Sequence, residues 1–170
     1  MEEFFKNRLS KVEYGNFLAL SARSRAEDPD TQTGVAIFDK DWRTISTGFN
    51  GFVAGFTPDE RIISDRKLKS CLINHAECNA ILKSAKESHY LFSVLSPCQS
   101  CSKIIVASSI KSVYFLKQYV SGATNEPDLV YQDIFKLHKV HYEQITPEQI
   151  DKIKYWQKKN LDFLNTIYES

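Results

Sequence analysis

The chain lacks any apolar run long enough to cross a bilayer, which takes about 20 consecutive residues. Its opening, Met1-Glu2-Glu3-Phe4-Phe5, also lacks the basic-then-apolar order of a secretory signal. Together these absences predict a cytoplasmic protein (the host cell's cytoplasm, if the source is viral) with no membrane partner. A surplus of one charge is missing as well. With 22 Lys plus Arg against 21 Asp plus Glu, the net charge is +1, which argues against a dominant non-specific grip on nucleic acid. No internal repeat, low-complexity tract or linker divides the chain. Its 170 residues, 42% hydrophobic and 25% charged, therefore suit one globular domain over 1–170 with a sizeable core. Cysteine is scarce. Four would fit two disulfides in a secreted protein, but Cys98 and Cys101 have a spacing that suits metal better. Cys78 reads as a small buried thiol and Cys71 as a free structural one.

What is present follows an alternating pattern. Residues 10–27 have few breakers and stop at Asp28-Pro29, as a helix would. The β-rich runs 33–39 and 43–49, joined by a short polar turn, predict an antiparallel hairpin. Residues 50–74 have little periodicity, and so long a connection is usually functional or partly helical. Helix over 75–85, strand over 90–95, helix over 98–107 and strand over 112–116 then indicate parallel strands covered on both faces. A third helix over 126–139 and an edge strand over 141–145 follow. Thr146-Pro147-Glu148 opens a long C-terminal helix, with Thr as its cap and Pro in its first turn. Ile150, Ile153, Trp156, Leu161 and Leu164 form an apolar stripe along it, suited to the domain's own surface or to a subunit contact.

The chemistry-bearing residues are His75-Ala76-Glu77 and, some twenty residues on, Pro97-Cys98-Gln99-Ser100-Cys101. His75, Cys98 and Cys101 offer three zinc ligands and leave a fourth position for water, the pattern of a catalytic rather than a structural site. If both segments begin helices, the amide groups and dipole at those ends favour thiolate over thiol. Zinc lowers the pKa of water towards ~7, and Glu77 is placed to take that proton and return it to a substrate. Two alternatives are a structural zinc with an unseen fourth ligand and a core histidine beside two buried thiols. Neither explains Glu77.

These residues are similar to the H-x-E with P-C-x-x-C pattern of zinc deaminases that act on nucleobases. Three further segments narrow the likeness: Asp28-Pro29-Asp30-Thr31-Gln32-Thr33-Gly34-Val35, Gly48-Phe49-Asn50-Gly51 with Gly55 beyond it, and His75-Ala76-Glu77-Cys78-Asn79-Ala80-Ile81. Over roughly 10–145 the chain resembles the cytidine and deoxycytidylate deaminase family, its dCMP branch above all; the C-terminal helix, about 147–168, lies outside. The resemblance implies an α/β fold of three layers, with a five-stranded mixed sheet between helices. It implies deamination of dCMP to dUMP and ammonia, with Glu77 as the catalytic proton carrier and Zn2+ as cofactor. It also implies a base pocket formed by the backbone of Ala76 and Ser96, a sugar contact from Asn50, and phosphate contacts from Arg25 and Tyr119. Arg25 otherwise reads as a solvated charge and Tyr119 as a packed aromatic. For the dCMP branch it further implies hexamers controlled by dCTP and dTTP with Mg2+, the matching loop holding Gly48, Asn50, Gly51 and Gly55.

Rival readings share the zinc core or discard its chemistry. One is deamination of another cytosine nucleotide such as dCTP; another is action on a base within nucleic acid, which needs a basic, aromatic grip on the polymer. Arg61, Arg66, Lys67 and Lys69 form a basic group, but Asp59, Glu60 and Asp65 offset it. That mixture reads as a solvated loop or a phosphate contact in a regulatory site, and nucleic acid is not expected as a partner. A third is a non-catalytic, zinc-stabilised interaction module.

Overall fold

The computed structural model describes residues 2–84, 87–120 and 126–168. In chain order its elements are α1 (Glu2–Asn7), α2 (Lys11–Arg23), β1 (Gly34–Asp39), β2 (Thr44–Phe49), β3 (Gly51–Phe52), α3 (Glu60–Ser64) and α4 (Arg66–Leu72). They continue with β4 (Ile73–Asn74), α5 (Ala76–Lys83), β5 (Ser88–Leu95), α6 (Gln99–Ala107), β6 (Ser112–Lys117), α7 (Val130–His138), β7 (His141–Gln144) and α8 (Pro147–Tyr168). Ala85, at the end of the helix expected over 75–85, lies outside the described residues.

Five strands form one mixed sheet in the order β2-β1-β5-β6-β7. The β1–β2 hairpin is antiparallel, β1 runs antiparallel to β5, and β5, β6 and β7 are parallel. Period-2 alternation sends side chains to opposite faces. Val35, Ile37, Leu91, Val113 and Phe115 go to one core with Ala76, Ala80, Ile105, Tyr131 and Phe135 from α5, α6 and α7. Ala36, Phe38, Phe92 and Val94 go to the other, under Ala19 of α2. Leu91, Phe92, Ile105 and Phe135 are fully buried, each worth about 1.5–3 kcal/mol relative to exposure. The sheet thus lies between two helical layers, the α/β architecture expected from the alternation of elements.

Two helix boundaries differ from expectation, the end of α2 and the start of α7. Ser10 starts α2 with a capping box, its hydroxyl accepting from the Glu13 amide while the Glu13 carboxylate accepts from the Ser10 amide. That helix stops at Arg23, short of Asp28, because the chain turns and the Glu27 amide donates to the Asn50 carbonyl. The helix expected from Glu126 begins at Val130, since Pro127 bridges to Val120 and the Asp128 carboxylate accepts from the Val130 amide. Residues 50–74 hold α3, α4 and a small β3–β4 ribbon. There Asp59 and Asp65, read in the sequence as solvated charges, cap α3 and α4 through the Ile62 and Leu68 amides. Cys78 is partly exposed and Cys71 exposed, so the expectation of a buried Cys78 thiol is corrected.

The long C-terminal helix starts with a reciprocal box between Thr146 and Gln149. Its apolar stripe is divided. Ile153 is buried and the Trp156 indole donates to the Asn7 carbonyl, whereas Leu161 and Leu164 are exposed. Packing on the domain therefore accounts for the first half of the stripe only. No helix among the described residues is long and apolar enough to cross a membrane.

Candidate active site

The site lies where β5 ends and the chain turns into α6, at the carboxyl edge of the parallel strands. In open α/β sheets such edges are where ligand crevices form. His75 is the N-cap of α5 and Cys98 the N-cap of α6, both with extended backbone and neither using its side chain to cap its own helix. Ser, Thr, Asp or Asn at those positions would turn back onto the helix amides. Imidazole and thiol instead turn outward to each other. The vacated capping duty at α6 falls to Asp128, whose carboxylate accepts from the Gln99 amide at 3.0 Å. At α5, Asn79 donates to the Phe49 carbonyl at 2.9 Å and pins the helix to β2. Gly48 permits that contact, because a Cβ there would lie 2.4 Å from the Ala76 carbonyl.

His75 Nδ1 is 3.2 Å from Cys101 Sγ and 3.4 Å from Cys98 Sγ, and the three donor atoms all lie within 4.8 Å of one another. Tetrahedral zinc with bonds of about 2.3 Å to sulfur and 2.0 Å to nitrogen holds N and S about 3.5 Å apart. The donors fit zinc in spacing and in softness. Among the side chains themselves, the hydrogen bond from Cys101 brings the Cys98 thiol down to about 4, and the contact with Cys98 raises His75 to about 9. Cys101 is pushed up as the donor to Cys98 and by burial. A divalent cation held by these donors would displace the protons, with both sulfurs as thiolate ligands. Glu77, 5% exposed, stands beside them with its carboxyl raised by burial.

A cleft with about 750 Å³ of open space, counting its mouth, exposes this group. His75, Glu77 and Cys98 line it together with Asn50, Ser96 and Tyr119, six residues singled out from the sequence. Asn50 is 5% exposed and clamps the adjoining loop, accepting from the Thr33 amide at 2.9 Å and donating to the Thr31 carbonyl at 2.5 Å. The Ser96 amide donates to the Lys117 carbonyl and its hydroxyl accepts from the Tyr119 amide at 2.9 Å. Ala76 is fully buried behind the wall.

Arg25 is displaced from the cleft, its guanidinium standing 5.7 Å from the Phe49 ring centre. The four residues of the expected regulatory loop lie in different surroundings. Gly48 packs under α5, Gly51 abuts the Glu27 carboxylate, Gly55 makes an open positive-φ turn, and Asn50 alone of them lines the cleft beside the His75, Cys98 and Glu77 group. Among the described residues, His75, Cys98 and Cys101 are the one set of three close His, Cys, Asp or Glu donors, so the expected Mg2+ has no second set of that kind.

Reasoning from sequence missed the opposite wall. Asp28, Asp30, Thr31, Thr33, Arg66 and Lys69 line it. Lys69, read as part of a solvated loop or of a regulatory phosphate contact, has a side chain only 2% exposed, paired with Asp28 at 2.9 Å and with Asp30. The pairing raises Lys69 despite the opposing cost of burial, and it lowers Asp30. A stop signal at Asp28-Pro29 and a lysine some forty residues later gave no hint of an ion pair.

The architecture and its three converging donors define a zinc-deaminase type of α/β domain. The chain belongs to the family matched over residues 10–117, described as the cytidine and deoxycytidylate deaminase zinc-binding region. It is 30% identical over 146 residues to a deoxycytidylate deaminase of Mus musculus, covering 80% of each chain. It is 32% identical over 136 residues to a probable deoxycytidylate deaminase of Caenorhabditis elegans, covering 74% of this chain and 64% of that protein's length. The dCMP deaminase of cyanophage S-TIM5 shares the fold with a TM-score of 0.62 at 22% identity, over 81% of this chain and all of that one. The same phage enzyme in complex with dCMP and dUMP aligns with a TM-score of 0.58 and 25% identity, over 75% of this chain and 91% of that one.

Proposed function

We propose that the chain is a zinc-dependent hydrolase that converts dCMP to dUMP and ammonia. The observation that carries this reading is the convergence of His75, Cys98 and Cys101 beside a buried carboxyl in an open cleft. Three soft donors with room for a fourth, non-protein ligand suit catalysis. His75, Cys98 and Cys101 would hold zinc, which supplies Lewis acidity that brings the pKa of water down to ~7.

The remaining work falls to the chain's own groups. Water supplies the oxygen that joins C4 of the cytosine, and the C4–N4 bond breaks. Of that water's two protons, one stays on ring N3 and one leaves with the amino group as ammonia. Glu77 carries both transfers in turn, the task of a positioned general acid–base. Burial suits it, because a carboxylate whose pKa is held above its ordinary range takes up a proton more readily than a solvated one. Ser96 and Tyr119, tied by their own hydrogen bond, form a fixed side wall, and Asn50 holds the facing loop. The deoxycytidylate deaminase relatives support the monophosphate as substrate.

The test offers zinc-loaded protein dCMP, dCTP, deoxycytidine and cytosine-containing oligonucleotides, and measures ammonia from each. The proposal requires dCMP to lead. Preference for dCTP or the oligonucleotide reassigns the substrate, and no ammonia from any of them overturns the enzyme reading. Adding dCTP or dTTP tests the implied regulation, and sedimentation tests the implied hexamer. Hyperbolic kinetics indifferent to both nucleotides remove the former.

A further inference from the structure

We propose that Arg66 receives the nucleotide's 5′-phosphate and is the residue by which the cleft separates nucleotide from nucleoside. The inference rests on the deaminase reading and deepens it.

A phosphate monoester carries about −1.5 to −2 charge at neutral pH. The wall facing the zinc donors does not welcome that charge by itself. Lys69 is buried and committed to Asp28 and Asp30, so one positive and two negative groups sum to −1. Arg66 lies three residues before Lys69 in α4, a spacing that puts both side chains on one face of the helix. It is exposed and lines the same cleft. Asp30 and Tyr119 line that cleft with it, and its charge acts on both. Adding Arg66 brings the wall's sum from −1 to 0, and its planar fork offers paired N–H donors suited to phosphate oxygens. Lys67, the intervening cation, is not among the lining residues, and Arg25 lies over Phe49 instead.

The arrangement gives the two cations different duties. Lys69 is a positioning residue that fixes the 28–30 segment at one end while Asn50 fixes Thr31 and Thr33 at the other. Arg66 then meets the ligand against a wall that does not move. The base end of the cleft, with Glu77 and the zinc donors, is untouched by its removal.

The experiment measures binding of dUMP by calorimetry, and of deoxyuridine by displacement of dUMP, to zinc-loaded wild type and to Arg66→Gln, Lys67→Gln and Arg25→Gln. Losing charge-assisted hydrogen bonds to phosphate should weaken dUMP about 10- to 150-fold in Arg66→Gln and leave deoxyuridine unchanged. Lys67→Gln, which removes the same charge from the same helix, should leave both unchanged. Equal weakening of both ligands by Arg66→Gln, or undiminished dUMP binding, overturns the assignment. So does a selective loss of dUMP binding in Arg25→Gln in place of Arg66→Gln. A wild type that binds neither ligand and releases no ammonia from dCMP sinks the deaminase reading itself. An active wild type whose Arg66→Gln form binds dUMP normally sinks only the role given to Arg66.

Discussion

Replacing Glu77 by Gln removes the proton carrier while keeping its shape. The side chain is 5% exposed and stands beside Cys98, Cys101 and His75, so an isosteric amide should create neither a cavity nor a clash. A positioned general acid–base contributes about 10²- to 10⁴-fold, or ~3–5 kcal/mol of barrier at 1.36 kcal/mol per tenfold. Turnover of dCMP should fall by that factor. Stability should not fall with it, because burying an ionised carboxyl carries a desolvation cost that the amide avoids. Thermal unfolding is therefore expected at the wild-type temperature or above it, a separation of activity from stability typical of functional groups. The assay follows ammonia release under saturating dCMP, with zinc content and a melting curve from the same preparation. Retention of more than about a tenth of wild-type turnover, with zinc bound, would refute the assigned role. Loss of zinc along with activity would make Glu77 a structural support instead.

Two further perturbations test the frame around the site. Gly48→Ala puts a methyl group 2.4 Å from the Ala76 carbonyl and 2.6 Å from the Ala80 amide, overpacking that should cost about 1–3 kcal/mol and lower the urea midpoint; an unchanged midpoint contradicts the close approach of α5 to β2. Lys69→Met leaves Asp28 and Asp30 without their counter-charge and should lower the urea midpoint at pH 7. Asp30 is held below its usual 3.8, so its share of stability is present above that pH and lost as pH falls through the lowered value. Lys69 is held above its usual 10.5, so its share is present below that pH and lost on further rise. The gap between variant and wild type should accordingly be widest between those limits and narrow below pH 3.8; a gap independent of pH removes the ion pair as its cause.

How much could be read in advance depended on how local each signal was. His75, Glu77, Cys98 and Cys101 stood out because ligand chemistry and helix ends constrain short spacings. The role of His75 and Cys98 as N-caps with outward side chains follows from the same local geometry. The strands were legible for a similar reason: Val35, Ala36, Ile37 and Phe38 fill both cores, as a continuous apolar run between covered faces must. The facing wall was not legible. Lys69 meets Asp30 across 39 positions, and nothing in Arg61 to Lys69 distinguishes a buried ammonium from a solvated one. Arg25, near the same segment in sequence, has its guanidinium over the Phe49 ring, a placement that no local spacing signals. The start of α7 was missed because a tertiary bridge at Pro127, not propensity, decides it.

Zinc K-edge absorption on metal-loaded protein tests the central claim most directly. One ion per chain with two sulfurs at about 2.3 Å, one imidazole nitrogen near 2.0 Å and one light oxygen donor is the predicted shell. A third sulfur or a second imidazole closing the fourth position would contradict it and leave a structural metal in place of a catalytic one.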